Sequence, residues 1–203
     1  MSRNLRNELQ TFFKGKYYRL PDNWINILDI NNYANKPINY LEIGVYYGAN
    51  LITTATTYAM HPDSKIFGID PWEDYDDYPE YKGLQESTFN TFCENIKNSN
   101  LINRNIQIIR GYSHKENINF NDEFFDIIYI DGNHEPEYAL EDAVLYFRKL
   151  KKDGVMIFDD YGKDEHGNTF HTEEGVDAFI QAYNKRIEIL GIQDFQIFIK
   201  KKY

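Results

Sequence analysis

Five short runs rich in Ile, Val, Phe and Tyr mark the middle of the chain: Asn39 to Ile43, Lys65 to Ile69, Ile106 to Arg110, Phe125 to Ile130 and Val155 to Phe158. Between them lie helical patterns at about Ala49 to Tyr58, Leu84 to Lys97 and Glu137 to Leu150, the last with apolar residues at Leu140, Val144, Phe147 and Leu150. The alternation predicts βαβ units. Runs apolar on both faces suit a parallel sheet covered by helices on each side, because a sheet face exposed to water would alternate in polarity. Right-handed crossovers then give a Rossmann-like, doubly wound, mostly parallel α/β fold. The pattern changes towards the ends. Before Pro37, Leu5, Leu9, Phe12 and Phe13 form one patch and Trp24, Ile27 and Leu28 another, which predicts a helical cap over 1–36 on a core of 37–203. Thr172 to Tyr183 predicts a further helix. Arg186 to Leu190 and Phe195 to Lys200 predict two closing strands, for seven in all, with Gly191 at the turn between them.

Composition narrows the function classes. A chain of 203 residues with no internal repeat or low-complexity linker is expected to be one domain. No run approaches the roughly 18 apolar residues of a membrane span, and the start is polar rather than signal-like, so a soluble cytoplasmic protein is expected. The formal charge of −10 opposes a nucleic-acid partner, which needs clustered Lys and Arg. The basic runs Lys149 to Lys152 and Lys200 to Lys202 are read as solvated ends of elements. Cys93, the single cysteine, is read as core beside Phe89, Phe92 and Ile96, and with one cysteine no internal disulfide can form. A homo-oligomer is compatible with these features.

Two loops carry candidate chemistry. After the first strand, Glu42-Ile43-Gly44-Val45-Tyr46-Tyr47-Gly48-Ala49-Asn50 puts two glycines where backbone must turn tightly into a helix. Glu42 stands where a dinucleotide fingerprint has its first glycine, so a pyrophosphate would meet a carboxylate and an NAD-dependent oxidoreductase is disfavoured. A cationic ligand suits that carboxylate. Asp70, ending the second strand, can accept both hydroxyls of a ribose. At the ends of the fourth and fifth runs stand Asp131-Gly132-Asn133-His134 and Asp159-Asp160-Tyr161. Neighbouring strands would bring the three carboxylates to the crevice where open α/β sheets bind ligands. Like charges there raise each other's pKa unless a cation offsets them. Hard oxygen donors select Mg²⁺, with Mn²⁺ or Ca²⁺ as alternatives. His134, three residues after Asp131, suits a general base.

The E-x-G-x-x-x-G loop resembles the first motif of class I S-adenosylmethionine-dependent methyltransferases. Over about Tyr40 to Tyr161 the chain resembles the metal-dependent O-methyltransferases, especially those acting on sugar hydroxyls of macrolides such as macrocin and mycinamicin. The shared features are D-G-x-H, the paired Asp-Asp ending the next strand, and the 28-residue interval from Asp131 to Asp159. Catechol O-methyltransferase is a more distant likeness, with a lysine where this chain has His134, and Gly111-Tyr112-Ser113-His114 resembles its adenine-bordering segment. The resemblance implies that Glu42, Gly44, Asp70, Ser113 and Asp131 line S-adenosylmethionine, with Tyr46, Gly48, Asn50, Trp72, Gly111 and Tyr112 as further candidates. It also implies that Asp131, Asp159 and Asp160 hold the metal and that His134 takes the hydroxyl proton. The expected acceptor is a small molecule, a sugar or glycosylated metabolite, with a phenolic or catechol acceptor, or a non-catalytic accessory domain, as alternatives. The loops Pro71 to Tyr78 and Gly162 to His171 have no family counterpart and are expected on the acceptor side, where Tyr161, His166 or His171 could reach the acceptor.

Overall fold

A computed structural model describes residues 4–17, 19–74, 79–101, 103–164 and 166–203. Its strands are β1 Asn39–Ile43, β2 Lys65–Asp70, β3 Asn105–Arg110, β4 Phe125–Ile130, β5 Leu150–Phe158, β6 Ile187–Gln193 and β7 Gln196–Lys201. The helices are α1 Leu5–Gln10, α2 Asn31–Ala34, α3 Ala49–Ala55, α4 Gln85–Asn98, α5 Ser113–Glu116, α6 Pro136–Phe147 and α7 Thr172–Tyr183. The sheet order is β3-β2-β1-β4-β5-β7-β6, with β1 to β5 parallel and β7 antiparallel to both neighbours. This is the Rossmann-like fold expected from the strand pattern. The order reverses between β1 and β4, so their carboxyl ends open a crevice there.

The doubly apolar strands divide their side chains between two cores. Tyr40, Ile66, Ile127, Tyr129, Val155 and Ile157 face a layer made by α3, Phe92 of α4 and the N-terminal segment. Leu41, Ile43, Ile128, Ile130, Met156 and Phe158 face α6 and α7. Trp24 is fully buried, with its ring centre 5.4 Å from that of Tyr58 and 5.7 Å from that of Tyr129. It fastens the N-terminal segment to the sheet, and truncating such an aromatic costs about 3–5 kcal/mol.

Several local expectations are corrected. On α6 the buried positions are Ala139, Asp142, Ala143, Tyr146 and Phe147, while Val144 is exposed. The helix ends at Phe147 and Leu150 already belongs to β5, so the stripe read through Leu150 had spanned two elements. Lys201 is not solvated. It is buried and its Nζ donates to the carbonyls of Phe147 and Leu150 at 3.1 and 2.6 Å, supplying donors just past the last turn of α6. Cys93 is exposed on α4, because the buried face of that helix carries Gln85, Thr88, Phe92 and Asn95 instead. Gly191 lies within β6 at a register irregularity, and the turn is made by Asp194 and Phe195, both with positive φ, as in a two-residue hairpin. No helix among the described residues is long and apolar enough to cross a membrane.

Candidate active site

The carboxyl ends of β1, β2, β4 and β5 surround a cavity of about 930 Å³. That is at the upper end of ordinary ligand sites, about 300–1,000 Å³, and gives room for more than one small molecule. Glu42, Gly44, Tyr46, Gly48, Asn50, Asp70, Gly111, Tyr112, Ser113, Asp131, His134, Asp159 and Asp160 all line it. Trp72 does not: its buried indole donates to the Tyr46 carbonyl at 3.0 Å and packs on Phe89 and Phe92, supporting the loop from behind. Tyr161 turns away to donate to Asp177 at 2.7 Å, and His166 and His171 also lie outside the lining. Tyr75 and Tyr78 of the Pro71 to Tyr78 loop lie outside the described residues.

The glycine loop is shaped by the protein itself. Gly44 has φ +82°, and a Cβ there would stand 1.8 Å from the backbone oxygen of Asp131. β1 and β4 therefore come together only without a side chain at this point. Gly44→Ala is expected to destabilise the protein by more than about 3 kcal/mol, since neither backbone can yield cheaply; a thermal melt within a few degrees of the parent would contradict this.

Where the cavity meets β1, Glu42 is buried. Its Oε2 accepts from the Tyr40 hydroxyl at 2.7 Å and from Asn50 Nδ2 at 3.1 Å. Burial pushes its carboxyl up to about 8, with Asp131 adding to the rise and the hydrogen bonds from Tyr40 and Asn50 opposing it. The Asn50 amide oxygen is buried without a hydrogen-bond partner, an unmet acceptor beside an acid. Such a pair fits a ligand with a polar N–H or ammonium group. Asp70 accepts from the backbone N–H groups of Val45 and Tyr46 through Oδ2, and from Trp72 through Oδ1. It thereby fixes the loop as well as facing the cavity. Asp142 was not foreseen. One of its carboxylate oxygens is also buried without a partner, and burial pushes its pKa up to about 7. The signal was available, since an acid sits on the apolar face of α6 between Ala139 and Ala143.

At the other side stands the acidic cluster. Single donor atoms of Asp131, His134 and Asp160 lie within 4.8 Å of one another. His134 bridges them, with Nε2 3.3 Å from Asp131 and Nδ1 3.3 Å from Asp160. Burial alone would lower the imidazole pKa, but the hydrogen bond and charge of Asp131, together with Asp160 and Asp159, raise it to about 9. Asp159, expected as the third metal ligand, is engaged by two neighbours. Its Oδ1 accepts from Gln196 Nε2 at 2.9 Å and its Oδ2 from Arg19 Nη1 at 2.8 Å. Gln196 in turn accepts from Trp24 Nε1 at 2.9 Å, so the N-terminal segment reaches the site through a buried chain of hydrogen bonds. Lys16, Tyr17 and Arg19 of that segment also line the cavity, although the sequence suggested only a cap.

The cavity lies at the switch point of a Rossmann-like sheet, the place where open α/β sheets bind ligands. Residues 41–161 match the family described as "Methyltransferase domain", and the chain belongs to that family. It is 27% identical over 135 residues to an uncharacterized protein, R132, of Acanthamoeba polyphaga mimivirus; the match covers 64% of this chain and 55% of that one. The chain thus spans about half the length of this curated relative. Among solved structures, the O-methyltransferase NovP superposes with TM-score 0.64 at 16% identity, covering 88% of this chain and 76% of NovP. MycE of the mycinamycin biosynthetic pathway, solved with Mg and SAH, gives 0.59 at 16% identity over all of this chain and 55% of its own. A putative rRNA-methylase from Clostridium thermocellum gives 0.60 at 13% identity, covering 97% and 93%. At these identities the likeness is one of fold.

Proposed function

We propose that the protein is an S-adenosylmethionine-dependent O-methyltransferase that uses a divalent cation, Mg²⁺ by preference, to methylate a hydroxyl of a sugar or glycosylated metabolite. The observation that carries this reading is the joint lining of one cavity by an ammonium-type site at Glu42 and Asn50 and by the donor cluster of Asp131, His134 and Asp160. The methyl donor has an amino group that Glu42 and the unmet Asn50 oxygen can accept, and ribose hydroxyls that Asp70 can accept. Ser113 and Asp142 line the same cavity. Hard carboxylate oxygens fit a magnesium-like ion, and Asp131 and Asp160, with Asp159, would hold it.

When bound, the cation supplies Lewis acidity and charge stabilisation for an acceptor oxygen. His134 holds its place between two carboxylates and takes the hydroxyl proton, a task for which the imidazole must be neutral. The two carboxylates now favour its protonated form, and sharing their charge with a cation removes that preference. Tyr17, Tyr46, Tyr47, Tyr81, Tyr112 and Tyr138 bring aromatic surface to the cavity and suit a sugar face or a phenolic ring. The sugar is favoured by the resemblance of the sequence to macrolide-sugar methyltransferases.

Titration with S-adenosylhomocysteine, with and without Mg²⁺, tests the cofactor. Absence of binding under both conditions would remove it. Turnover of sugar acceptors with labelled S-adenosylmethionine is expected to stop in excess EDTA and return with Mg²⁺; full activity in EDTA sinks the metal reading.

A further inference from the structure

The acidic cluster already holds a cation belonging to the chain. Arg19 lies between α1 and the Asn23–Asn26 turn, and its Nη1 sits 2.8 Å from Asp159 Oδ2 and 2.6 Å from Asp160 Oδ1. The side chain is only 20% exposed. Its guanidinium carbon lies 5.7 Å from the ring centre of Phe170 and 5.1 Å from that of Phe195, close enough for cation–π attraction to both. Four stretches of chain therefore meet on one side chain: the N-terminal segment, the end of β5, the loop before α7 and the β6–β7 turn.

A guanidinium keeps its charge at any working pH, so it cannot make way for a metal ion by losing a proton. It occupies one oxygen of Asp160 and one of Asp159. A divalent ion on these carboxylates would stand a few ångströms from a fixed positive charge in a partly desolvated site, where repulsion is strong. The positive charge of Arg19 also offsets part of the repulsion among three neighbouring carboxylates.

We propose that Arg19 is a built-in counter-ion that competes with the divalent cation for Asp159 and Asp160, so that metal loading expels it and releases the N-terminal segment from the cavity wall. The inference rests on the metal reading above. Lys16 and Tyr17 travel with Arg19 and line the same cavity, so metal occupancy and the shape of the acceptor entrance are coupled. Release also removes the cation that Phe170 and Phe195 share, loosening the loop before α7 from the β6–β7 turn.

The test uses the full chain, wild type and Arg19→Gln, titrated with Mn²⁺ and followed by the paramagnetic resonance of the free ion, alongside hydrogen exchange of residues 11–20. Arg19→Gln is expected to bind Mn²⁺ at least about tenfold more tightly than wild type. In wild type, Mn²⁺ is expected to speed exchange in that segment; in the variant, exchange is already fast and insensitive to metal. Equal or weaker Mn²⁺ binding by Arg19→Gln, with clear binding by wild type, overturns the competition and leaves the metal site standing. Segment exchange in wild type that ignores Mn²⁺ overturns the release. If neither protein binds Mn²⁺, the metal reading falls and this inference with it. Should Arg19→Gln fail to fold, Arg19→Lys serves, because an ammonium lacks the planar fork and holds the two carboxylates less firmly. Its Mn²⁺ affinity is expected to rise severalfold, and no rise counts against the proposal.

Discussion

Replacing His134 by Gln is expected to lower methyl transfer by about 10²- to 10⁴-fold, the usual contribution of a positioned general base. Among the described residues, the imidazole is the neutral-capable base whose donor atoms converge with those of the acidic cluster, and both its nitrogens lie near carboxylates. Glutamine fills much of the same space and can still donate to Asp131 or Asp160, but it cannot carry a proton away. S-adenosylhomocysteine affinity should therefore stay within a few fold of wild type, because Glu42, Asn50 and Asp70 are untouched. Single-turnover rates and calorimetric titration on the same preparations separate the two effects. A variant with wild-type turnover would remove His134 from the chemistry.

Glu42→Gln should move binding and stability in opposite directions. Hydrogen bonds to charged groups contribute about 1.5–3 kcal/mol, so loss of the carboxylate is expected to weaken S-adenosylhomocysteine by about 10- to 100-fold. In the free protein the folded carboxyl titrates near 8 rather than 4.5, because burial penalises its charged form. Below pH 4.5 both folded and unfolded chains carry the proton. Between pH 4.5 and 8 the unfolded chain gives it up while the folded chain keeps it, so this group's contribution to stability falls as pH rises. Glutamine has no such dependence. The melting temperature of Glu42→Gln minus that of wild type is therefore expected to increase from pH 5 to pH 8.5, by an amount equivalent to a few kcal/mol at most. An ammonium ligand favours the ionised form, so in wild type S-adenosylhomocysteine should bind more tightly as pH rises towards 8 and should release a proton on binding. A pH-independent difference in melting, or binding without proton release, would remove Glu42 as the partner of a cation. The pattern fits a site whose buried acid is kept for binding at a cost in stability.

Much of the fold was readable because strand–helix alternation is a local property. The five central runs matched β1 to β5, and the loop residues between Glu42 and Asn50 fell in one cavity because they follow a single strand. The errors share a physical cause. Cys93, Val144 and Lys201 were assigned an environment from their neighbours in sequence, but burial on α4, α6 and β7 depends on which face meets the sheet. Gly191 was given the turn because glycine tolerates many conformations, whereas Asp194 and Phe195 took the positive φ values instead. Asp142 was readable as an acid on an apolar helix face and was missed.

The sequence alone determined the Rossmann-like sheet, the glycine loop and the presence of Asp131, Asp159, Asp160 and His134 at neighbouring strand ends, since strand order and loop position follow from pattern and handedness. Which of those acids share a donor cluster was decided in three dimensions. Asp159 faces Gln196, 37 residues away, and Arg19, 140 residues away, and no local pattern encodes such pairings. Tertiary packing of Trp24 against Tyr58 and Tyr129 brings the N-terminal segment across the sheet, and so places the Arg19 guanidinium against Asp159 and Asp160.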